Sequence, residues 1–428
     1  MKKIYLSLFM LAFSGAFTMS KAQCVGGRYF NYIFPANPIL TSNIAYGSNV
    51  KSNGATESLE LDVYEPNGDS LTPARPLVLI AHGGSFVGGS KTGTDVVPIC
   101  KDLAKLGYVA VAIEYRLGMT NFPIPGPDSS DATEAVMRGV QDGRAAVRYF
   151  RKNAAIGGNT YRIDTNNIYF AGVSAGGFIA LQLAYLDKAS EIPSFIDMTG
   201  QPGLTGGLEG NSGNPGYSSE VKAIINICGA LGDTAWMKPG DEPVLSFHGT
   251  NDGTVPYGSS VINLLGFYPL LKVHGSYSVS AQANKLGLLS CFEIYEGQDH
   301  VPATSNAAYY DTTITMTKDF LYHFVCGAPL TCVNNAQAAS SIKESTLETL
   351  DWSIFPNPAN NNLMVDLRNF EAQKLSITIF NALGKNVLNL NNMQAKQQNI
   401  DISNLSSGLY QVMVYDGVNK FSKKLVKN

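Results

Sequence analysis

Six apolar, β-branched runs recur through the first three quarters of the chain, at 77–80, 109–113, 168–170, 223–227, 243–247 and 292–295. Such runs are apolar at most positions, broken only by Asn226, Ser246 and Glu293, instead of alternating, as strands buried on both faces are. Helical spacing fills the intervals at 95–106, 131–153 and 178–185, and the first two of these end near glycine. Strand and helix in alternation predict a mostly parallel sheet with helices on both faces. An alternating segment at 59–64 is expected to be an antiparallel edge strand. Residues 200–216, rich in Gly, Asn and Ser without periodicity, read as a mobile surface loop.

The character of the chain changes after about residue 328. Residues 329–351 read as a linker, so the first domain is expected to span 23–328. From 352 to 428 short alternating strands at 363–367, 375–380, 386–390, 400–402 and 410–415 predict a small all-β sandwich. Residues 353–428 carry 8 basic and 4 acidic residues, which leaves 23 basic and 30 acidic before them. The whole chain therefore has a net charge of -3, too weak a field to draw in a polyanion, and nucleic acid is not an expected partner.

Residues 1–22 read as a signal peptide: Lys2 and Lys3 precede an apolar run and then Ser20-Lys21-Ala22. That run is short for a membrane span and no later stretch is long enough, so stable membrane insertion is not expected. Gln23 in place of a small residue before Cys24 argues against lipidation. In an exported chain six cysteines can pair in fifteen ways. Cys326 and Cys332 flank a short turn and suggest a local bridge, whereas Cys228 sits in an apolar run and reads as a buried thiol. No zinc-type CxxC spacing occurs, and neither a metal nor a cofactor is expected.

Chemistry concentrates at Gly172-Val173-Ser174-Ala175-Gly176-Gly177, which follows an expected strand and opens an expected helix. A nucleophile held in a strained strand-to-helix turn needs glycine on both sides, because side chains there would collide. The alternative, a phosphate-binding helix start capped by Ser174, is disfavoured by a second motif. His82-Gly83-Gly84-Ser85-Phe86 follows the first central strand, where glycines let backbone amides face a developing oxyanion. Gly84, Ser85 and Ala175 are the expected oxyanion donors, and His82 is expected to buttress the loop.

A serine nucleophile needs a base, and of His82, His248, His274, His300 and His323 only His300 stands in a turn after the last expected strand. His323 reads as a core or capping residue, and His274 as lying near a helix start far from any strand end. Asp252, in His248-Gly-Thr-Asn-Asp252-Gly-Thr-Val-Pro256, follows the preceding strand and would orient the imidazole; Asp241, Glu242 and Asp299 are its rivals. Pocket shape is expected to depend on residues 120–131 and 200–216.

These motifs together resemble the α/β-hydrolases, specifically secreted carboxylesterases, over about residues 55–325. The stretch Gln141-Asp-Gly-Arg-Ala-Ala-Val-Arg148 through Asn153-Ala-Ala-Ile-Gly-Gly158 to the elbow is similar to the segment leading to their nucleophile. By that resemblance Ser174, Asp252 and His300 form the triad, and Gly84, Ser85 and Ala175 the oxyanion hole. Val173 and Ser85 depart from many relatives, which have an acidic residue and a third glycine there, and the Asp252 motif resembles dienelactone-hydrolase and peptidase branches. Phe355-Pro-Asn-Pro-Ala359, Ser407-Gly-Leu-Tyr410 and Lys423-Lys-Leu-Val-Lys427 resemble the C-terminal sorting domain of the type IX secretion system. The resemblance implies a secreted or surface-displayed serine hydrolase, exported through the periplasm, acting on a small-molecule or polymer-linked ester. Acetyl or feruloyl esters of polysaccharides are candidate substrates, although only Trp236 and Trp352 offer stacking platforms. The rival expectations are a prolyl-oligopeptidase-like peptidase, for which no propeller-sized segment precedes residue 55, and a non-catalytic binding module.

Overall fold

The computed structural model describes residues 24–70, 74–264, 268–330, 332, 352–368, 375–381, 386–394, 396–415 and 420–428. The expected signal peptide and most of the expected linker lie outside them. Two compact units divide between Ser341 and Ile342.

The first unit is built on an eight-stranded sheet. Its strands are β1 (Ile39–Val50), β2 (Thr56–Glu65), β3 (Arg75–Ala81), β4 (Val109–Ile113), β5 (Ile163–Val173), β6 (Ala223–Ile227), β8 (Val244–Gly249) and β11 (Ser290–Tyr295). Their spatial order is β1-β2-β4-β3-β5-β6-β8-β11, with every pairing from β4 to β11 parallel and those of β1 with β2 and β2 with β4 antiparallel. Along β3 the side chains of Leu77, Leu79 and Ala81 enter one hydrophobic cluster while Val78 and Ile80 enter the other. Two buried faces explain why residues 77–81 are apolar throughout.

Helices cover both faces. Helix α1 (Val97–Leu106) packs Ile99 and Leu103 on one face; α2 (Ser129–Ile156) and α3 (Ala175–Tyr185) pack Val140 and Ile179 on the other. Helix α4 (Ser276–Leu286) joins the α2 face, whereas α6 (Ala307–Cys326), which follows the single turn α5 (Pro302–Ser305), joins α1. Asp128 caps α2 by accepting from the Ser130 and Asp131 amides, and Asp131 bonds back to the Asp128 amide. Gly107, at φ +114°, ends α1 in the left-handed conformation that glycine adopts without strain. A smaller antiparallel sheet of β7 (Ala230–Leu231), β10 (Tyr268–Gly275) and β9 (Ser259–Leu264) flanks the α2 face.

Four expectations are corrected. The segment expected at the edge, within β2, is the second strand; the edge is β1, whose Ser, Asn and Gly residues and two register shifts erase the alternation that would mark it. Residues 200–216 are held, not mobile, because α2 and the segment after β4 present polar side chains to their carbonyls. Gln141 Nε2 donates to Leu204 and Gly207, Arg138 Nε to Pro202, Arg148 to Gly213, and Arg116 Nη1 to Gly203. Arg116 and Asp142, both fully buried, pair beneath the loop at 2.8 Å, and the Ser212 hydroxyl donates to the same carboxylate. Removing one partner of such a pair costs about 3–5 kcal/mol. The local Cys326–Cys332 bridge does not form; Cys24 bonds Cys326 and Cys291 bonds Cys332, joining segments that only the tertiary fold brings together. His274 does stand two residues before α4, but it lies at the end of strand β10, paired with Ser259 and Leu231, and not far from a strand end. Cys228 is a buried free thiol, as its apolar run suggested.

The second unit has two antiparallel sheets, one of β12 (Ser353–Phe355), β13 (Asn362–Asp366) and β16 (Gln397–Asp401), the other of β14 (Leu375–Asn381), β15 (Asn386–Met393), β17 (Gly408–Tyr415) and β18 (Lys420–Lys427). Leu363, Val365, Ile377, Ile379, Ile400, Val412 and Leu425 fill one core between them, so the unit is a small sandwich. Strands β12 and β18 add to the five expected; in β18 lysines dilute the apolar pattern. Among the described residues no helix is long and apolar enough to cross a membrane.

Candidate active site

Ser174 stands where β5 turns into α3, with φ +52° and ψ −113°, a region costly for any residue with a side chain. The turn closes only because its neighbours are glycine. A Cβ on Gly172 would lie 1.9 Å from the Gly176 carbonyl oxygen, and one on Gly176 would lie 2.0 Å from that of Ala81. The Ser174 amide donates to Ile227 O at 2.7 Å, which ties the elbow to β6.

Asp252 follows β8 and His300 follows β11, so both arrive at the carboxyl ends of neighbouring parallel strands, as ligand-facing groups in open α/β sheets do. His300 Nε2 is 2.8 Å from Ser174 Oγ, and His300 Nδ1 is 2.7 Å from Asp252 Oδ2. The other oxygen of Asp252 accepts from the Thr254 and Val255 amides at 2.9 and 2.8 Å. Burial would push the Asp252 carboxyl up. Hydrogen bonds from His248 and His300, and their charge, outweigh it and hold the group well below the usual carboxylate range.

The rival acids serve otherwise. Asp299 Oδ1 accepts from the backbone amides of Gly253 and His300, and so clamps the two loops together. Asp241 and Glu242 precede β8, at the opposite end of the strand from Asp252. His323 Nδ1 bonds Ala328 O beside the end of α6, a capping position. His82 stacks on Tyr115 and contacts Gly83 O through Nδ1, so it braces the glycine loop.

That loop runs through three consecutive positive φ values, Gly84 (+120°), Ser85 (+54°) and Phe86 (+60°). Gly84 O accepts from the Val87 and Gly88 amides, the Gly83 amide donates to Asp95 at 2.7 Å, and Tyr115 donates to His82 O at 2.9 Å. Ser85 and Ala175 line the same cavity of about 240 Å³ as Ser174, and Gly84 stands one residue behind. Apolar side chains, among them Met119, Val136, Phe178, Ile262, Leu270 and Leu271, form most of its remaining wall. Neither segment expected to shape the pocket lines it directly; β9 and β10 do, with residues of α2 and α3, while Pro123 and Ser129 of the first segment bond to β10 from behind.

His248 is a functional residue whose role the sequence reading did not assign. It is fully buried, with Nε2 3.2 Å from Asp252 Oδ2 and 3.1 Å from Val255 O. A carbonyl can only accept, so Nε2 carries the proton and, in the neutral ring, Nδ1 accepts from Ser276 Oγ at 2.7 Å. The signal was present in the His-Gly-x-x-Asp spacing, which puts both side chains at one strand end. Among the described residues, Cys228, Asp252 and His300 have ligand atoms within 4.8 Å of one another. Burial first, and then the Asp252 charge, push the Cys228 thiol up to about 12, so it is a neutral thiol at ordinary pH.

Residues 61–236 match the BD-FAE family, and residues 353–428 match the secretion system C-terminal sorting domain. Carboxylesterase 3B of Mus musculus is 34% identical over 128 residues, covering 30% of this chain and 20% of its own length. A non-reducing polyketide synthase, mapC', of Penicillium brevicompactum is 28% identical over 185 residues, covering 42% of this chain and 8% of its own. The chain thus spans a fifth or less of these curated relatives. The apo form of Thermogutta terrifontis esterase 2 is 21% identical, with 69% of this chain and 99% of that one covered and a TM-score of 0.48. The strand order of the first unit together with the BD-FAE match gives it the α/β-hydrolase fold with a BD-FAE esterase-like segment, and the sorting domain marks the chain for export to the cell surface or the medium.

Proposed function

We propose that this chain, an α/β-hydrolase joined to a secretion-sorting tail, is an exported serine hydrolase that cleaves carboxylic esters through an acyl-enzyme. Ser174, His300 and Asp252, linked in series at 2.8 and 2.7 Å, carry the reading. His300 Nε2 takes the Ser174 proton as Oγ adds to the ester carbonyl, and then gives it to the leaving alcohol. Water, deprotonated by the same nitrogen, hydrolyses the acyl-enzyme. Asp252 keeps the proton on Nδ1 and balances the imidazolium as it forms.

The Gly84, Ser85 and Ala175 amides hold the tetrahedral oxyanion; one lost donor typically costs about 10²- to 10³-fold in rate. The chemistry uses no metal or cofactor. Acetyl and feruloyl esters of polysaccharides are the proposed natural substrates, and the C-terminal domain delivers the enzyme through the type IX machinery.

Steady-state hydrolysis of p-nitrophenyl acetate, methyl ferulate and acetylated xylan, with a peptide p-nitroanilide alongside, tests the reading. Ester turnover that falls by 10³-fold or more in Ser174→Ala supports it. Equal turnover by parent and variant, or turnover of the peptide alone, overturns it.

A further inference from the structure

Beyond the active-site cavity a second, larger groove of about 830 Å³ runs over α2, α3 and β10. Four residues, Val136, Phe178, Leu270 and Leu271, face both spaces, so the two are separated by a wall one side chain thick. Two of the four are consecutive in one strand. Successive side chains of a regular strand point to opposite faces, but the β9–β10 register shifts between Pro269 and Lys272. That irregularity re-aims the chain, as bulges beside active sites do, and lets Leu270 and Leu271 serve the same wall. It is held in place from α2, where Ser129 Oγ donates to Leu270 O, and by Tyr268, whose hydroxyl donates to Pro123 O at 3.0 Å.

The direction of the substrate follows from the relay. His300 must reach the leaving oxygen, and its side chain is 18% exposed while that of Asp252 is fully buried. The alcohol portion therefore leaves on the side where His300 is exposed, and the apolar cavity takes the acyl portion. An acyl chain growing into that cavity gains about fourfold in kcat/KM for each methylene buried, until it meets the wall.

We propose that Val136, Phe178, Leu270 and Leu271 are the specificity-determining partition that sets the maximum acyl length. The outer groove is then a latent subsite for the distal methylenes of a straight-chain aliphatic acyl group. This rests on the esterase reading above.

Two substrate series separate the possibilities: p-nitrophenyl esters from acetate to laurate, and acetate esters of alcohols from methanol to octanol. Leu271 is half-buried, so Leu271→Ala leaves a smaller cavity than truncation of a fully buried leucine. Leu271→Ala and Val136→Ala should each raise the laurate-to-butyrate ratio of kcat/KM at least tenfold and leave the alcohol series unchanged. Val136→Phe should do the opposite and lower the butyrate-to-acetate ratio. Melting temperatures are read alongside, and Val136→Phe decides the question if the truncated variants fail to fold. An unchanged acyl profile in folded variants, or a change confined to the alcohol series, overturns the partition. Absence of any ester turnover in the parent overturns the esterase reading instead, so the two failures are distinguishable.

Discussion

Replacement of Asp252 by asparagine changes one atom, and the structure fixes which way the new amide must face. The oxygen that accepts from the Thr254 and Val255 amides cannot become an NH2 group without setting donor against donor. In Asp252→Asn the orientation that keeps both backbone amides bonded puts the NH2 at the Oδ2 position, where His248 Nε2 retains Val255 O as its acceptor at 3.1 Å and the NH2 points at His300 Nδ1, 2.7 Å away. The ring must then accept through Nδ1 and carry its proton on Nε2, where it faces Ser174 Oγ and cannot act as base. Forcing the productive tautomer forfeits a hydrogen bond to a charged group, about 1.5–3 kcal/mol. It also leaves the imidazolium without its counter-charge, which adds about 4 kcal/mol at an effective dielectric constant near 20. Together these give about 5.5–7 kcal/mol, a fall of about 10⁴-fold or more in kcat.

KM should change little, because Asp252 makes no contact with substrate in this scheme. The assay is hydrolysis of a short-chain p-nitrophenyl ester over pH 5–9, with circular dichroism as the check on folding. A folded Asp252→Asn enzyme within tenfold of the parent in kcat would refute the tautomer argument. Stability carries a second signature. The folded-state carboxyl lies below its ordinary 3.8, so the stability it contributes is present above that pH and is lost as pH falls through the folded value. The variant should melt lower than the parent at pH 7, and the gap should close in acid.

Glu242 has the opposite sign: burial first, and then the charges of Asp187, Asp241 and Glu220, push its carboxyl from 4.5 up to about 7. Stability is therefore lost as pH rises from 4.5 to about 7, and Glu242→Gln should gain about 1–2 kcal/mol at pH 8 and almost nothing at pH 4.5, read as melting temperature. The Cys24–Cys326 bridge closes 302 residues of sequence separation. The double variant Cys24→Ser/Cys326→Ser should lose about 2–4 kcal/mol in denaturant unfolding, and no loss would show that the bridge does not constrain the unfolded chain. Gly176→Ala places a Cβ 2.0 Å from Ala81 O, so it should cost more than about 2 kcal/mol and slow acylation of Ser174; a variant with parental stability and rate would contradict the elbow geometry.

The elements of the relay were legible because each is written locally. An elbow needs glycines at fixed offsets, and parallel strands deliver successive loops to one sheet edge, so the order Ser174, Asp252, His300 can be read along the chain. Long-range proximity is not written that way. Cys24 meets Cys326, and Cys291 meets Cys332, only through the packing of α6 and β11, and a short Cys326–Cys332 spacing pointed elsewhere. Residues 200–216 looked loose because their partners, Arg116, Arg138, Gln141 and Arg148, lie far away in sequence. The wall of the cavity was hidden for a related reason: Leu270 and Leu271 face one space only through a register shift, which breaks the period-two pattern that a strand shows.

The central claim is that Ser174 is an activated nucleophile, and covalent labelling by a fluorophosphonate tests it most directly. The purified mature protein is incubated with the probe beside Ser174→Ala and His300→Ala, and the modified peptide is mapped by mass spectrometry. Stoichiometric labelling at Ser174 in the parent, with none in Ser174→Ala and a rate lower by at least 10³-fold in His300→Ala, is the expected result. A parent that remains unlabelled, or one labelled at another residue, would contradict the account.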